Sequence, residues 1–186
     1  MIYLDNAATS FPKPPETIEY LNNFVTNIGG NPGRSGHTLS LEAARIIFGA
    51  REKLTSFIGM QDSERLIFTQ NGTESLNIAL LGFLKTGDHV VTTSIEHNSV
   101  MRPLEFLRRD RGITYTTVAC CSEGFVDLDR LKQAVRVNTK AVVINHGSNV
   151  TGAVQPLAEI RKIIGETCLI VDACQTMGSI PVDLKT

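Results

Sequence analysis

From about residue 65 onward the chain alternates short apolar or β-branched runs with stretches of helical spacing. That alternation limits its fold more than any other feature. The runs are Arg65–Thr69, His89–Thr93, Ile113–Val118, Ala141–Asn145 and Leu169–Asp172, each of the kind that a parallel sheet buries on both faces. Helical patterns fill the gaps over Thr73–Lys85, Val100–Arg111, Leu128–Val135 and Leu157–Gly165. Asp127 suits an N-cap, and Pro156 sits where a first-turn proline is tolerated. Strand, helix, strand repeated four times predicts right-handed crossovers and an α/β fold with a doubly wound, mostly parallel sheet. A separate opening precedes it: an extended Ile2–Ser10, a proline-rich turn at Pro12–Pro15 and a helix over Glu16–Ile28. A Gly/Pro-rich loop, Gly29–Gly36, then leads into a long amphipathic helix from about Ser40 to Ile58. No internal repeat, linker or low-complexity segment interrupts the pattern.

Composition removes several classes of function. With 186 residues, 42% of them hydrophobic, the chain can bury roughly 70% of its unfolded surface as a globular domain. Eighteen basic residues against 19 acidic ones, a net charge of -1, give no electrostatic case for nucleic acid or an anionic membrane. Met1 leads straight into a Leu-Asp-Asn segment, so no signal peptide is expected, and no apolar run approaches the roughly 20 residues of a membrane helix. Cys120, Cys121, Cys168 and Cys174 lack CxxC or zinc-ligand spacing. A reduced, cytoplasmic protein without a metal site is the expectation.

In such sheets ligands bind outside the carboxyl ends of the strands. Gln70-Asn-Gly-Thr-Glu-Ser75 follows the first run and opens a helix. Backbone N–H groups there, with the Thr73 hydroxyl, can cradle a phosphate, although an ordinary capped helix reads the same way. A nicotinamide turn would want GxGxxG, and Gly72 stands alone. His97, after the second run, can stack on a flat ring or shuttle protons, or simply cap a helix. After the fourth run comes His146-Gly-Ser-Asn-Val-Thr-Gly152, where Asn149 can hydrogen-bond a ligand hydroxyl or serve in a plain Asn/Gly turn. Leu169-Ile-Val171 ends on Asp172, with Gln175 just beyond. A carboxylate closing so apolar a strand costs several kcal/mol of desolvation unless a cation meets it. One cofactor that does so is pyridoxal phosphate, whose pyridinium nitrogen is held by an acid.

Taken together, five segments match one family. They are Tyr3-Leu-Asp-Asn-Ala-Ala-Thr9, Asn71-Gly-Thr-Glu74, Glu96-His97-Asn98, Ser148-Asn-Val-Thr-Gly152 and Val171-Asp-Ala-Cys-Gln175. In order and spacing the chain resembles the class V aminotransferase-like pyridoxal phosphate enzymes, most closely the cysteine desulfurase and selenocysteine lyase branch. The resemblance implies the incomplete large domain of a fold type I enzyme, with residues 1–14 as an N-terminal extended segment and 15–186 as the N-terminal part of the cofactor-binding domain. It implies that Gly72 and Thr73 bind the phosphate and that His97 stacks over the pyridine ring as the catalytic candidate. It further implies that Asn149 and Gln175 contact the phenolic oxygen and that Asp172 pairs with the ring nitrogen. The loop around Asn31–His37 resembles the family's active-site loop near the dimer interface; no chemical role is assigned to Arg34 or His37.

The implied activity is removal of sulfur from L-cysteine to give alanine, in a homodimer, with a sulfur-acceptor protein as a possible partner. Another class V aminotransferase-type enzyme and a non-catalytic short chain are the alternatives. In the family the cofactor-anchoring lysine follows the aspartate by about two dozen residues in a Ser/Gly-His-Lys motif. Here fourteen residues follow Asp172, and Lys185 stands outside any such motif. The expectation is therefore a fragment without that lysine, inactive alone, in which Cys174 is a packing residue rather than a nucleophile.

Overall fold

The computed structural model describes residues 2–182 and 184. Lys185 lies outside the described residues, as do Met1, Asp183 and Thr186. The chain divides into two compact units, one made of Met1–Ile67 with the residues from Val182 on, the other of Phe68–Pro181.

In the first unit the expected extended opening is interrupted, because the Ala8 N–H folds back onto the Asp5 carbonyl at 3.1 Å. Helix α1 (Pro15–Asn23) starts with a proline in its first turn, where no N–H is needed. It gives way to a π-turn over Phe24–Ile28 that closes on Gly29 at φ +54°, so the α-helix stops short of the expected Ile28. Helix α2 (Thr38–Phe57) is capped by His37, whose Nδ1 accepts from the Ser40 N–H at 3.2 Å. The loop before it is held by Ser40 Oγ donating to the Asn31 carbonyl at 2.7 Å. Gly30 allows this approach, since a Cβ there would lie 2.3 Å from the Leu39 carbonyl oxygen.

The second unit runs α3 (Gly72–Phe83), β1 (His89–Thr93), α4 (Asn98–Arg111), β2 (Thr114–Val118), α5 (Leu128–Ala134), β3 (Thr139–Asn145), α6 (Leu157–Ile164) and β4 (Cys168–Asp172). The strands form one parallel sheet in the order β2-β1-β3-β4. Alternate residues feed two cores. Val90 and Val143 pack with Leu76 and Leu80 of α3 and Leu104 and Leu107 of α4. Val91, Val142 and Ile144 pack with Leu131 of α5 and Ile160 and Ile164 of α6. With helices on both faces, the sheet is doubly wound as expected. Asp127 caps α5 by accepting from the Arg130 N–H at 3.0 Å, whereas Pro156 occupies the N-cap of α6 rather than its first turn.

One expected strand is missing, so the sheet has four strands and not five. Ser63–Arg65 forms a 3-10 turn capped by Asp62, and the run that follows joins no ladder. Ile67 is 71% exposed. An apolar run becomes a strand only where a neighbour takes up its backbone groups, and none of the described residues does so.

The sheet's amino edge is tied by His89, fully buried, with Nδ1 2.8 Å from Thr139 Oγ1 on β3 and Nε2 2.9 Å from Thr116 Oγ1 on β2. Burial, and then the charge of Arg136, hold its pKa below the usual 6.5; burial does the same to His146. The unfolded chain therefore takes up these protons first. Their contribution to stability is full above about pH 6.5 and is lost as the pH falls towards the folded values. His89→Gln should cost about 1–3 kcal/mol at neutral pH through two disturbed buried hydrogen bonds. The gap to wild type in urea unfolding should narrow on acidification. A gap that widens would contradict the neutral, buried imidazole.

Candidate functional site

From β1 the chain passes through α4 to β2 on one side, then returns through α5 to β3 on the other. The carboxyl ends of β1 and β3 therefore flank the topological switch point, where an open α/β sheet forms its binding crevice. Ser94–His97 leaves β1 there and His146–Gly152 leaves β3.

The amino end of α3 is heavily capped. Asn71 Oδ1 accepts from the Glu74 N–H at 2.9 Å, and Glu74 Oε2 accepts in return from the Gln70 N–H at 2.6 Å, a reciprocal box shifted by one residue from the usual pattern. Gly72 begins the helix, and a Cβ there would lie 2.4 Å from Cys174 Sγ. Glycine at 72 thus brings the α3 start against the loop that follows β4. Thr73 Oγ1 is 3.3 Å from Ser99 Oγ at the start of α4, so two helix amino ends, each with a positive dipole end, open on the same region. Between α3 and α4 lies a cleft of about 460 Å3 lined by Thr73, His97, Ser99, Arg102 and Phe106.

His97 does cap a helix. Its Nδ1 accepts from the Ser99 N–H at 3.1 Å and also meets the Ser99 hydroxyl. Accepting at Nδ1 puts the proton of the neutral ring on Nε2 and fixes the orientation of the imidazole. The capping and ring-stacking readings are therefore compatible. Asn149 lies exposed in a tight turn, in which Ser148 Oγ accepts from the N–H groups of Val150 and Thr151 at 3.2 and 3.1 Å. Gly152 closes that turn at φ +74°.

Asp172 is 7% exposed at the end of β4, opposite Asn145 in the ladder. Its Oδ1 accepts from the Cys174 N–H at 3.1 Å. The loop beyond it is locked to the β3 loop, where Thr176 Oγ1 lies 2.8 Å from His146 Nδ1. A Cβ on Gly147 would come within 2.5 Å of Thr176 Cγ2 and 3.6 Å of Gln175 Cβ. The geometry thus links Gly72 to the Asp172 loop, Thr73 to the cap that holds His97, and the stem of the Asn149 turn to Gln175.

Three features escaped the sequence reading. Ser99 joins the two helix starts. His146 joins the two loops. Glu96 is half-buried with its carboxyl end enclosed, and its Oε1 accepts from Thr93 Oγ1 at 2.6 Å and the Asn145 N–H at 3.0 Å. Only the Ser and Thr residues just after the strands hinted at such ties. Cys174 is exposed as a residue, yet partial burial of its sulfur and the neighbouring Asp172 push the thiol up to about 11, which disfavours nucleophilic attack.

The class V aminotransferase profile matches residues 2–186. The chain belongs to the class V aminotransferase family. It is 40% identical to the cysteine desulfurase IscS of Dictyoglomus turgidum, covering 98% of this chain and 47% of that protein. It is 36% identical to a cysteine desulfurase of Nostoc sp., covering 100% and 47%. Its structure resembles the apo cysteine desulfurase of Thermococcus onnurineus NA1 with a TM-score of 0.92 at 32% identity, covering 99% of this chain and 46% of that one. It also resembles SspA in complex with cysteine, with a TM-score of 0.88 at 27% identity, covering 100% and 54%. The chain spans about half the length of these relatives.

Gly72→Ala should destabilise the class V chain by about 1–3 kcal/mol, the usual range for overpacking. Adding Cys174→Ala should recover at least half of the loss in a double-mutant cycle. Strict additivity would mean that the close approach is not what requires the glycine. Cys121 and Cys174 are both exposed, but the raised thiol pKa of Cys174 disfavours its thiolate, so iodoacetamide should label Cys174 more slowly than Cys121.

Proposed function

We propose that this chain is the cofactor-binding N-terminal part of a pyridoxal phosphate-dependent cysteine desulfurase, acting on L-cysteine. The family is pyridoxal phosphate-dependent, and the site's chemistry fits that cofactor. The single observation that carries the reading is a carboxylate 7% exposed at a strand's carboxyl end beside the switch point. Such a group calls for a cationic partner, and a pyridinium ring is one. The capped amino ends of α3 and α4 supply the N–H groups and hydroxyls that an attached phosphate requires. Bound there, the cofactor would act as an electron sink for bonds breaking at the substrate's α-carbon.

Each residue then has a defined task. Gly72 and Thr73 hold the phosphate. His97, oriented by its cap, would stack over the ring. Asn149 and Gln175 hydrogen-bond the phenolic oxygen. Asp172 keeps the proton on the ring nitrogen; a charge pair at about 4 Å contributes roughly 4 kcal/mol at an effective dielectric of 20, enough to raise a pyridine pKa by a few units. In the overall reaction L-cysteine and an enzyme thiol give alanine and an enzyme persulfide, so atoms balance without an outside oxidant. The complete protein would be a homodimer delivering sulfur to an acceptor protein. No helix among the described residues is long and apolar enough to cross a membrane, and four free cysteines support a reducing, cytoplasmic setting.

The test uses the full-length product of the gene that carries this sequence. With pyridoxal phosphate and L-cysteine it should yield alanine and sulfane sulfur in equal amounts. Transfer of the amino group to a keto acid, with sulfur retained on the substrate, would instead make it an aminotransferase. Asp172→Ala should keep the fold but weaken cofactor binding by about 1.5–3 kcal/mol, or roughly 10- to 150-fold, with a larger loss in turnover. Near wild-type activity would sink the assignment of Asp172.

A further inference from the structure

The crevice holds one half-buried acid with an enclosed carboxyl end that the proposed function leaves without a task. Through Thr93 Oγ1 and the Asn145 N–H, both bound to Oε1, Glu96 ties the end of β1 to the end of β3 across the switch point. Its other oxygen, Oε2, is enclosed and has no hydrogen-bond partner among the described residues. Asn145 stands opposite Asp172 in the ladder, so the next acid lies one strand away, and its charge acts on Glu96. The two nearby imidazoles are engaged elsewhere, His146 Nδ1 with Thr176 and His97 Nδ1 with Ser99. An ionised Glu96 would leave a bare, enclosed oxygen next to a like charge. Both conditions disfavour the carboxylate.

We propose that Glu96 keeps its proton well above the ordinary carboxylate range and acts as a positioning residue for Asp172, so that while it is protonated the crevice presents one negative charge to the cofactor ring instead of two. The part concerning the ring rests on the cofactor reading above; the part concerning the proton does not. Burial is the main cause and Asp172 adds to it, and against the opposing hydrogen bonds from Thr93 and Asn145 they push the pKa from 4.5 up to about 7. The folded chain therefore binds this proton more tightly than the unfolded one. The resulting stability is full below about pH 4.5 and is lost as the pH rises through about 7. Glu96 and the two buried histidines thus bias stability in opposite directions over the same range.

The experiment follows the glutamate carboxyl carbons by 13C NMR in the full-length protein without cofactor. One resonance, absent in Glu96→Gln, should titrate near 7, and Asp172→Asn should move its midpoint down. A midpoint near the ordinary 4.5, or one indifferent to Asp172→Asn, overturns the proposal. A purely structural glutamate would not respond in this way. Pyridoxal phosphate affinity is measured separately. Glu96→Gln, which keeps a neutral planar group, should bind within about twofold of wild type, and Glu96→Leu about tenfold more weakly. Equal binding by all three overturns the positioning role. If Glu96→Gln fails to fold, the wild-type midpoint and its response to Asp172→Asn still decide the proton's place. A wild-type protein that binds no pyridoxal phosphate while Glu96 titrates near 7 overturns the cofactor reading and leaves the protonated acid standing.

Discussion

Two central strands that must be buried on both faces determine everything else in the second unit. Val90 and Val143 point to one side of the sheet, and Val91, Val142 and Ile144 to the other. Neither side can be left in water, so helices have to cover both. Right-handed crossovers then bring every strand back in the same direction, and all the strand-to-helix loops emerge at one edge. The apolar alternation on β1 and β3 is therefore also the reason that Thr73, His97, Asn149 and Asp172 lie on a single side of the molecule. The geometry of the candidate site follows from packing in this unit.

Bringing loops to one edge does not by itself bring them together. Close approaches and short polar ties complete the task. Gly72 and Gly147 remove the atoms that would hold the Asp172 loop away from its neighbours. Thr73 with Ser99, and His146 with Thr176, bridge adjacent loops through hydroxyls. Around the buried Asp172 two neighbouring groups are biased towards their neutral forms: the Cys174 thiol is pushed up to about 11 and the Glu96 carboxyl up to about 7. A single carboxylate among neutral neighbours concentrates the attraction on one cation, whereas several charges would spread it over the crevice.

The strands His89–Thr93 and Leu169–Asp172 were legible because each is short, apolar and bounded by polar turns, and the helices between them carried clear caps such as Asp127. The run Arg65–Thr69 looked the same and is no strand, because pairing depends on a neighbour that a local pattern cannot show. The candidate residues were legible as positions after strands, while their mutual contacts were not. That Glu96 sits across from Asn145 depends on the order β2-β1-β3-β4, which no spacing in the chain encodes. Likewise the need for glycine at 72 comes from Cys174, about a hundred residues away. Linear motifs expose residue types, but the strains and protonation states that tune them arise from strand order.

The same geometry separates what these residues can decide from what they cannot. In the proposed reading, a phosphate cradle, a ring-stacking imidazole, a hydroxyl contact and a ring-nitrogen acid would all recognise parts of the cofactor. None of them touches the side chain by which cysteine differs from other amino acids. Enzymes that break a carbon–sulfur bond and enzymes that move an amino group need the same electron sink, so these residues suit either chemistry equally. Discrimination between substrates must come from groups placed over the ring and beyond it, since specificity is set by the interactions that differ between competing transition states. In the proposed reading, then, these residues would fix the cofactor and the electronic character of the reaction. The likeness to named cysteine desulfurases is what points that shared machinery towards sulfur.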